Sequence, residues 1–335
     1  MNPTRILLPI AALSLLACNG DKLPDTANTT STTDARCVNN VLTSYPADGA
    51  SDIYVGARVD RHLALADAAG TISMTDADGA AVEGTVVNNG TYVGFVPTAP
   101  LLPGATYTAT FDWGCESETT SFTTGNQVGD PVNGEGLVGK SWALDLREGR
   151  EVNPLGISGV LDTLLEFSLL VGISEADDGG FTMFGGVSDE AGNQDLCTPT
   201  FDFDARADLS GNPHFSITST LLPIVVSGST LEIDDLLLTG SFGTDGSIVG
   251  TGLFGNIDTR PLAGVLDKEG GGNPDSVCEL FAGTFNIDCE ACPEGGEVYC
   301  IQLELDNIAA PANDYSLQVV TADDVAANAD CATGS

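Results

Sequence analysis

The chain has 335 residues, 48 of them acidic against 11 basic, for a formal charge of −37. Nucleic acid is excluded as a partner, because phosphate binding needs clustered Lys and Arg. Hydrophobic residues make up 42% and mean hydropathy is +0.11, enough apolar surface for a buried core and too much for wholesale disorder.

Residues 1–17 carry one cation, Arg5, then run uncharged from Ile6 to Ala17, which is the length of an export signal rather than of a membrane span. The run ends in Leu15-Leu16-Ala17-Cys18. This string resembles the lipobox of bacterial lipoproteins. The resemblance implies cleavage before Cys18, acylation of its thiol and freed amine, and a mature chain held by lipid. At about 0.8 kcal/mol per buried methylene, two or three acyl chains hold a protein on a bilayer without any spanning helix. Asn19 stands where an aspartate would imply inner-membrane retention, so the similarity points to the outer membrane and leaves the leaflet open. Anionic head groups repel so acidic a surface, so attachment is expected through the lipid. The same acidity suits saline surroundings or divalent cations.

Residues 19–36 hold almost no large apolar side chain and are rich in Thr, Asn and Asp, so 18–36 reads as a lipidated cysteine with a disordered tether. Short alternating apolar runs then predict strands over 52–59, 70–75, 81–88, 91–96, 106–113 and 119–124. Asp78-Gly79 and Asn89-Gly90 fall between runs, where residues tolerant of positive φ suit hairpins. The expectation is a small antiparallel sandwich over 37–125. Its strings YPADGASDIYVGARV (45–59), ISMTDADGAAVEGTV (72–86) and GFVPTAPLLPGATYTATF (94–111), closing with SFTTG (121–125), resemble the bacterial Ig-like domain of the SbsA type. The resemblance covers the whole of this segment, with several motifs in order. His62-Leu63 departs from it, standing where the family has an aromatic-containing core strand, which implies a weaker core there. Cys37 and Cys115 flank the domain and are expected to pair.

A second linker rich in Gly, Asn and Pro occupies 126–137. Beyond it, 138–335 continues as a β-rich domain, with strands expected over 141–146, 166–173, 181–186, 200–205, 214–219, 224–226, 230–238, 240–242, 248–254, 298–305 and 315–321. That many strands in one block predict a larger sandwich or barrel-like domain stapled by disulfides. The fold class is therefore all-β, an Ig-like antiparallel sandwich followed by this larger unit. One stretch differs. Pro154 to Leu165 sets Leu155, Val160, Leu161, Leu164 and Leu165 at helical spacing, which predicts a short helix plugging one end of the core, with a lipid- or partner-binding lid as the alternative.

Beside Cys18, eight cysteines remain: Cys37, Cys115, Cys197, Cys278, Cys289, Cys292, Cys300 and Cys331. An even number in an exported chain predicts four disulfides, and six cysteines outside the Ig-like segment leave the pairing open. A zinc site on Cys278, Cys289, Cys292 and Cys300 is disfavoured, because a ribbon needs a second close pair beside Cys289-x-x-Cys292. Two GxGxxG strings, 134–139 and 250–255, lack the strand-to-helix setting that a phosphate loop requires. No GxSxG is present, and the two histidines, His62 and His214, are expected half-exposed on separate domains. No cofactor is implied. Calcium is the ion best suited to the oxygen clusters Asp76 and Asp78, Asp177-Asp178, and Asp202, Asp204 and Asp208, although solvated turn aspartates explain them more simply.

With no catalytic constellation, the reading is a non-enzymatic, membrane-anchored lipoprotein, exposed at a surface or in the periplasm. Its role would be structural or adhesive, with a protein or cell-surface partner. Two alternatives are a carrier enclosing an apolar ligand in the C-terminal β domain and a hydrolase using carboxylates of that domain.

Overall fold

The computed structural model describes residues 39–114, 116–226, 229–266, 272–293 and 295–331. The N-terminal module is a sandwich of two four-stranded sheets. Its strands are β1 (Val41–Tyr45), β2 (Ala50–Ile53), β3 (Val59–Leu63), β4 (Thr71–Asp76), β5 (Gly84–Asn88), β6 (Tyr92–Pro97), β7 (Thr106–Trp113) and β8 (Glu116–Thr124). One sheet runs β1-β3-β6-β5 and the other β2-β8-β7-β4, with β2 parallel to β8. Period-two alternation builds the core: Tyr107, Ala109, Phe111 and Trp113 of β7 are buried while their neighbours face outward. Phe111 and Trp113 stack with centroids 4.7 Å apart.

Strand β3 is buried along its whole length, Asp60, Arg61 and His62 included. Its alternation separates two environments. Arg61 turns into the sandwich, where its Nη2 donates to Thr120 Oγ1 on β8 at 2.8 Å. Asp60 and His62 turn to the opposite face, which meets the second module. His62 is thus 5% exposed rather than half-exposed, with its ring 5.1 Å from that of Tyr92.

The second module comprises β9 (Ser141–Leu144), β10 (Arg150–Asn153), α1 (Ile157–Leu164), β11 (Leu169–Asp177), β12 (Gly180–Val187), β13 (Phe201–Asp202), β14 (Ala207–Asp208), β15 (His214–Val226), β16 (Ser229–Phe242), β17 (Ile248–Asp258), α2 (Ala263–Leu266), α3 (Pro274–Phe285), β18 (Glu290–Ala291), β19 (Val298–Ala310) and α4 (Ala322–Ala327). These strands form one meandering sheet, and the sheet closes on itself. β9 pairs with β11 on one side, while Ala143 N donates to Pro311 O and Asn313 N to Ser141 O on the other. β10 continues that seam by pairing Arg150 with Asp306 of β19. The turn at 145–149 thus splits one closing strand in two, and at Gly149 a Cβ would press within 2.9 Å of Ile308.

A barrel of about eight strands is just wide enough for side chains to fill. Trp142, Phe181, Phe215 and Phe242 do so, with Phe215 5.2 Å from both Phe181 and Phe242 and Trp142 5.7 Å from Phe242. Trp142 Nε1 donates to Gly246 O, so the buried indole is satisfied. Helix α1 buries Ile157, Val160 and Leu161 in the same core, and α3 packs beside it through Val277 and Phe281. The Glu151 carboxylate accepts from the Gly156 and Ser158 amides at the start of α1.

Several expected boundaries change. The pairs 214–219 with 224–226, and 230–238 with 240–242, merge into single strands β15 and β16. Residues 315–321 form no strand; they cross the surface, where Gln194 brackets Gln318 and Thr200 brackets Val320. The 126–137 segment is held down: Gly129 N donates to Phe242 O, and Asn212 bonds both amide groups of Val132. Among the described residues the cysteine pairs are Cys197–Cys331, Cys278–Cys289 and Cys292–Cys300. The Cys289-x-x-Cys292 string is therefore divided between α3 and β19. Among the described residues no helix is long and apolar enough to cross a membrane.

Candidate functional site at the domain junction

The expected lipid site Cys18 and the expected pair Cys37 and Cys115 lie outside the described residues. The calcium candidates serve their own turns. Asp76 Oδ1 accepts from the Asp78 and Ala80 amides, Asp204 takes both the amide and hydroxyl of Thr220, and Asp208 caps Ser210. Asp202 sits in the two-residue strand β13, paired to Phe184. Asp177 pairs with Arg206 at 2.6 Å and caps Gly179, next to Asp178. Among the described residues no group of three His, Cys, Asp or Glu is placed to hold a metal ion.

Polar and charged groups converge instead between the two modules. Tyr54, in the loop after β2, lays its ring on β17, and its hydroxyl meets Ser241 Oγ at 2.5 Å. Ser241 Oγ also lies 2.5 Å from His214 Nδ1. The ring fits because position 250 is glycine: a Cβ there would fall 2.3 Å from Tyr54, and φ of +61° disfavours any other residue. The GxGxxG string 250–255 is thus a strand that admits a neighbouring ring. A serine beside a histidine has the elements of a nucleophile and base. Here Ser241 is 0% exposed and covered by Tyr54, and the contacts of the trio tie the two modules together.

The second group centres on two arginines. Arg58 bonds Glu304 of β19 at 2.9 Å and sits over the Phe254 ring, 4.8 Å from its centroid. Arg150 of β10 grips Asp306 with two hydrogen bonds, reaches Asp60 of β3, and lies 3.8 Å over the Tyr45 ring. Burial raises the Asp60 carboxyl to about 6, while Arg150 opposes that shift. Burial, aided by the Arg150 charge, lowers His62 to about 4, so it is neutral at physiological pH. Burial also raises Tyr45 and Tyr92 to about 12.

An open cleft of about 360 Å³ borders this junction, walled by Val96 and Pro97 from one module and by Leu237 and Phe254 from the other. His214, Arg58 and Asp306 reach its floor. Sequence reading missed the junction, because its members lie up to 246 residues apart. A faint signal existed: Asp60-Arg61-His62 are consecutive in a run bracketed by Val59 and Leu63, and such polar residues need partners when buried.

Residues 38–130 match the family model of the bacterial Ig-like domain. The N-terminal module is Ig-like. Comparison with curated proteins returns no match. Among solved structures, the chain has a likeness to L,D-transpeptidase 1 of Mycobacterium tuberculosis, at 13% identity over 63% of this chain and 80% of that one. The TM-score of 0.24 is too low for that likeness to bear on fold or activity.

Proposed function

We propose that this chain is an exported lipoprotein, acylated at Cys18 and held at the bacterial outer membrane, whose Ig-like module and barrel act as one rigid spacer presenting a surface to a protein or cell-surface partner. The observation that supports it best is the junction. Tyr54, Arg58 and Asp60 engage Ser241, Glu304 and Arg150, so the modules are bonded across a shared buried face. Ig-like domains suit surface and structural roles, and fold alone specifies no chemistry. Three disulfides in the second module fit an oxidising compartment. A carrier holding an apolar ligand inside the barrel would first have to displace the Trp142, Phe181, Phe215 and Phe242 cluster.

The test is metabolic labelling of the full chain with a clickable palmitate analogue, with detergent phase partition of wild type and Cys18→Ser. Label and detergent-phase recovery in wild type, both lost in the variant, support the anchor. Unlabelled wild type recovered in the aqueous phase overturns it.

A further inference from the structure

We infer that the domain junction is a proton-tuned clasp: Asp60 takes up a proton as the surroundings acidify, and the Ig-like module then grips the barrel more tightly.

The geometry leaves Asp60 under-compensated. Arg150 commits its fork to Asp306, with Nε donating to Oδ1 at 2.7 Å and Nη2 to Oδ2 at 2.5 Å. Nη1 is left for Asp60 and donates to Oδ1 at 3.1 Å. Asp60 Oδ2 lies 2.9 Å from the same nitrogen but makes no hydrogen bond, and it is sealed from solvent. One guanidinium therefore faces two carboxylates, and a buried charge without full pairing is costly.

The other groups around Asp60 do not restore the balance. From its own segment come Arg58, which is paired with Glu304, neutral His62, and Arg61, which turns to the opposite face of the strand, where it bonds Thr120 and is coupled to Glu118 more strongly than to Asp60. β1 and β6 contribute Tyr45 and Tyr92, both un-ionised. β10 supplies Arg150 and Glu151; the burial of Glu151 is outweighed by hydrogen bonds from Ser158 and Gly156, so it remains a carboxylate. β19 adds Glu304 and Asp306, both already bonded to arginine. Three carboxylates, Asp60, Glu304 and Asp306, thus share two arginines at the contact, and a proton on Asp60 brings it to neutrality.

The sign follows from linkage. Asp60 has a higher pKa in the folded chain, about 6, than its free value of 3.8. The folded state therefore binds a proton that the unfolded state lacks. The clasp strengthens as pH falls through about 6, and the gain is complete near the free value. His62 acts oppositely in an overlapping window: it titrates at about 4 when folded against 6.5 when free, so its protonation favours unfolding. Burial also lowers His214, with the same sign. Whole-chain stability in wild type thus conceals the clasp, and an Asp60 comparison exposes it.

The experiment is urea unfolding of full-length wild type and Asp60→Asn at about pH 5 and about pH 7.5, with amide exchange of β3 and β10 corrected for intrinsic rates. The expected result is that the wild-type folding constant, taken relative to the variant, rises about tenfold or more on acidification. Protection of both strands should rise in wild type alone. A pH-independent ratio, or a gain retained in Asp60→Asn, overturns the inference. A carboxyl carbon NMR titration of wild type decides the matter without any variant. A midpoint near 6 for Asp60 supports the clasp, and one at or below the free value of 3.8 overturns it.

Discussion

The ring of Tyr54 rests on the bare Cα of Gly250, so close that a Cβ at that position would fall 2.3 Å from two ring carbons. Two modules with separate hydrophobic cores therefore meet ring against backbone, with the phenol hydroxyl bonded to Ser241 beyond. Gly250→Ala should cost about 2–4 kcal/mol, combining a disfavoured positive φ with overpacking. The Tyr54→Ala, Gly250→Ala double variant should recover the overpacking part alone. Urea midpoints in a double-mutant cycle measure this, and strict additivity would show that the ring contact carries no energy.

Arg150 holds carboxylates from both modules. Arg150→Met leaves Asp60 and Asp306 buried without their cation and should cost about 3–5 kcal/mol. Adding Asp60→Asn should restore part of that loss, because one stranded charge is gone. Denaturation of the single and double variants checks the order.

His62 should remain neutral across the physiological range. Its ring-proton NMR signal should titrate with a midpoint near 4, because burial and the Arg150 charge both oppose protonation. Its contribution to stability should be complete above the free value of 6.5 and decline as pH falls towards about 4. A midpoint near 6.5 would mean that the junction is open to solvent.

The three disulfides of the second module should differ in worth with the loop each closes. Cys197–Cys331 spans 134 residues and Cys292–Cys300 spans 8. In the chain-entropy model the longer loop should be worth about 2.5 kcal/mol more. Paired Cys→Ser variants compared by thermal melting give the ranking. A larger loss from the short loop would mean that native contacts, not chain entropy, set the stabilisation.

Local pattern was the part of this molecule open to reading. Thr106–Trp113 was expected as a strand with the bounds that β7 has, because its apolar residues alternate and turn residues flank it. The plug helix was visible in the spacing of Val160, Leu161 and Leu164, and α1 spans Ile157–Leu164. Helix α3 carries the start signals Asn273 and Pro274, but only Val277 and Phe281 of its residues are buried, so its apolar period is faint in the sequence. Strand β10 was hidden because Arg150-Glu151-Val152-Asn153 carries one apolar residue and is a strand by virtue of its pairing with β19.

By itself, then, the order of residues determined an all-β chain with an Ig-like N-terminal module and cysteines in number for disulfides, since alternation, turn chemistry and composition act over a few residues. Tertiary structure decided which cysteines pair, how two short strands close the barrel along β19, and which charges become buried. Those outcomes depend on groups far apart along the chain, brought together when the outer face of β3 packs against β10 and β19. Once that face leaves water, the low polarity there gives Asp60, Arg150 and His62 properties that none has in an unfolded chain.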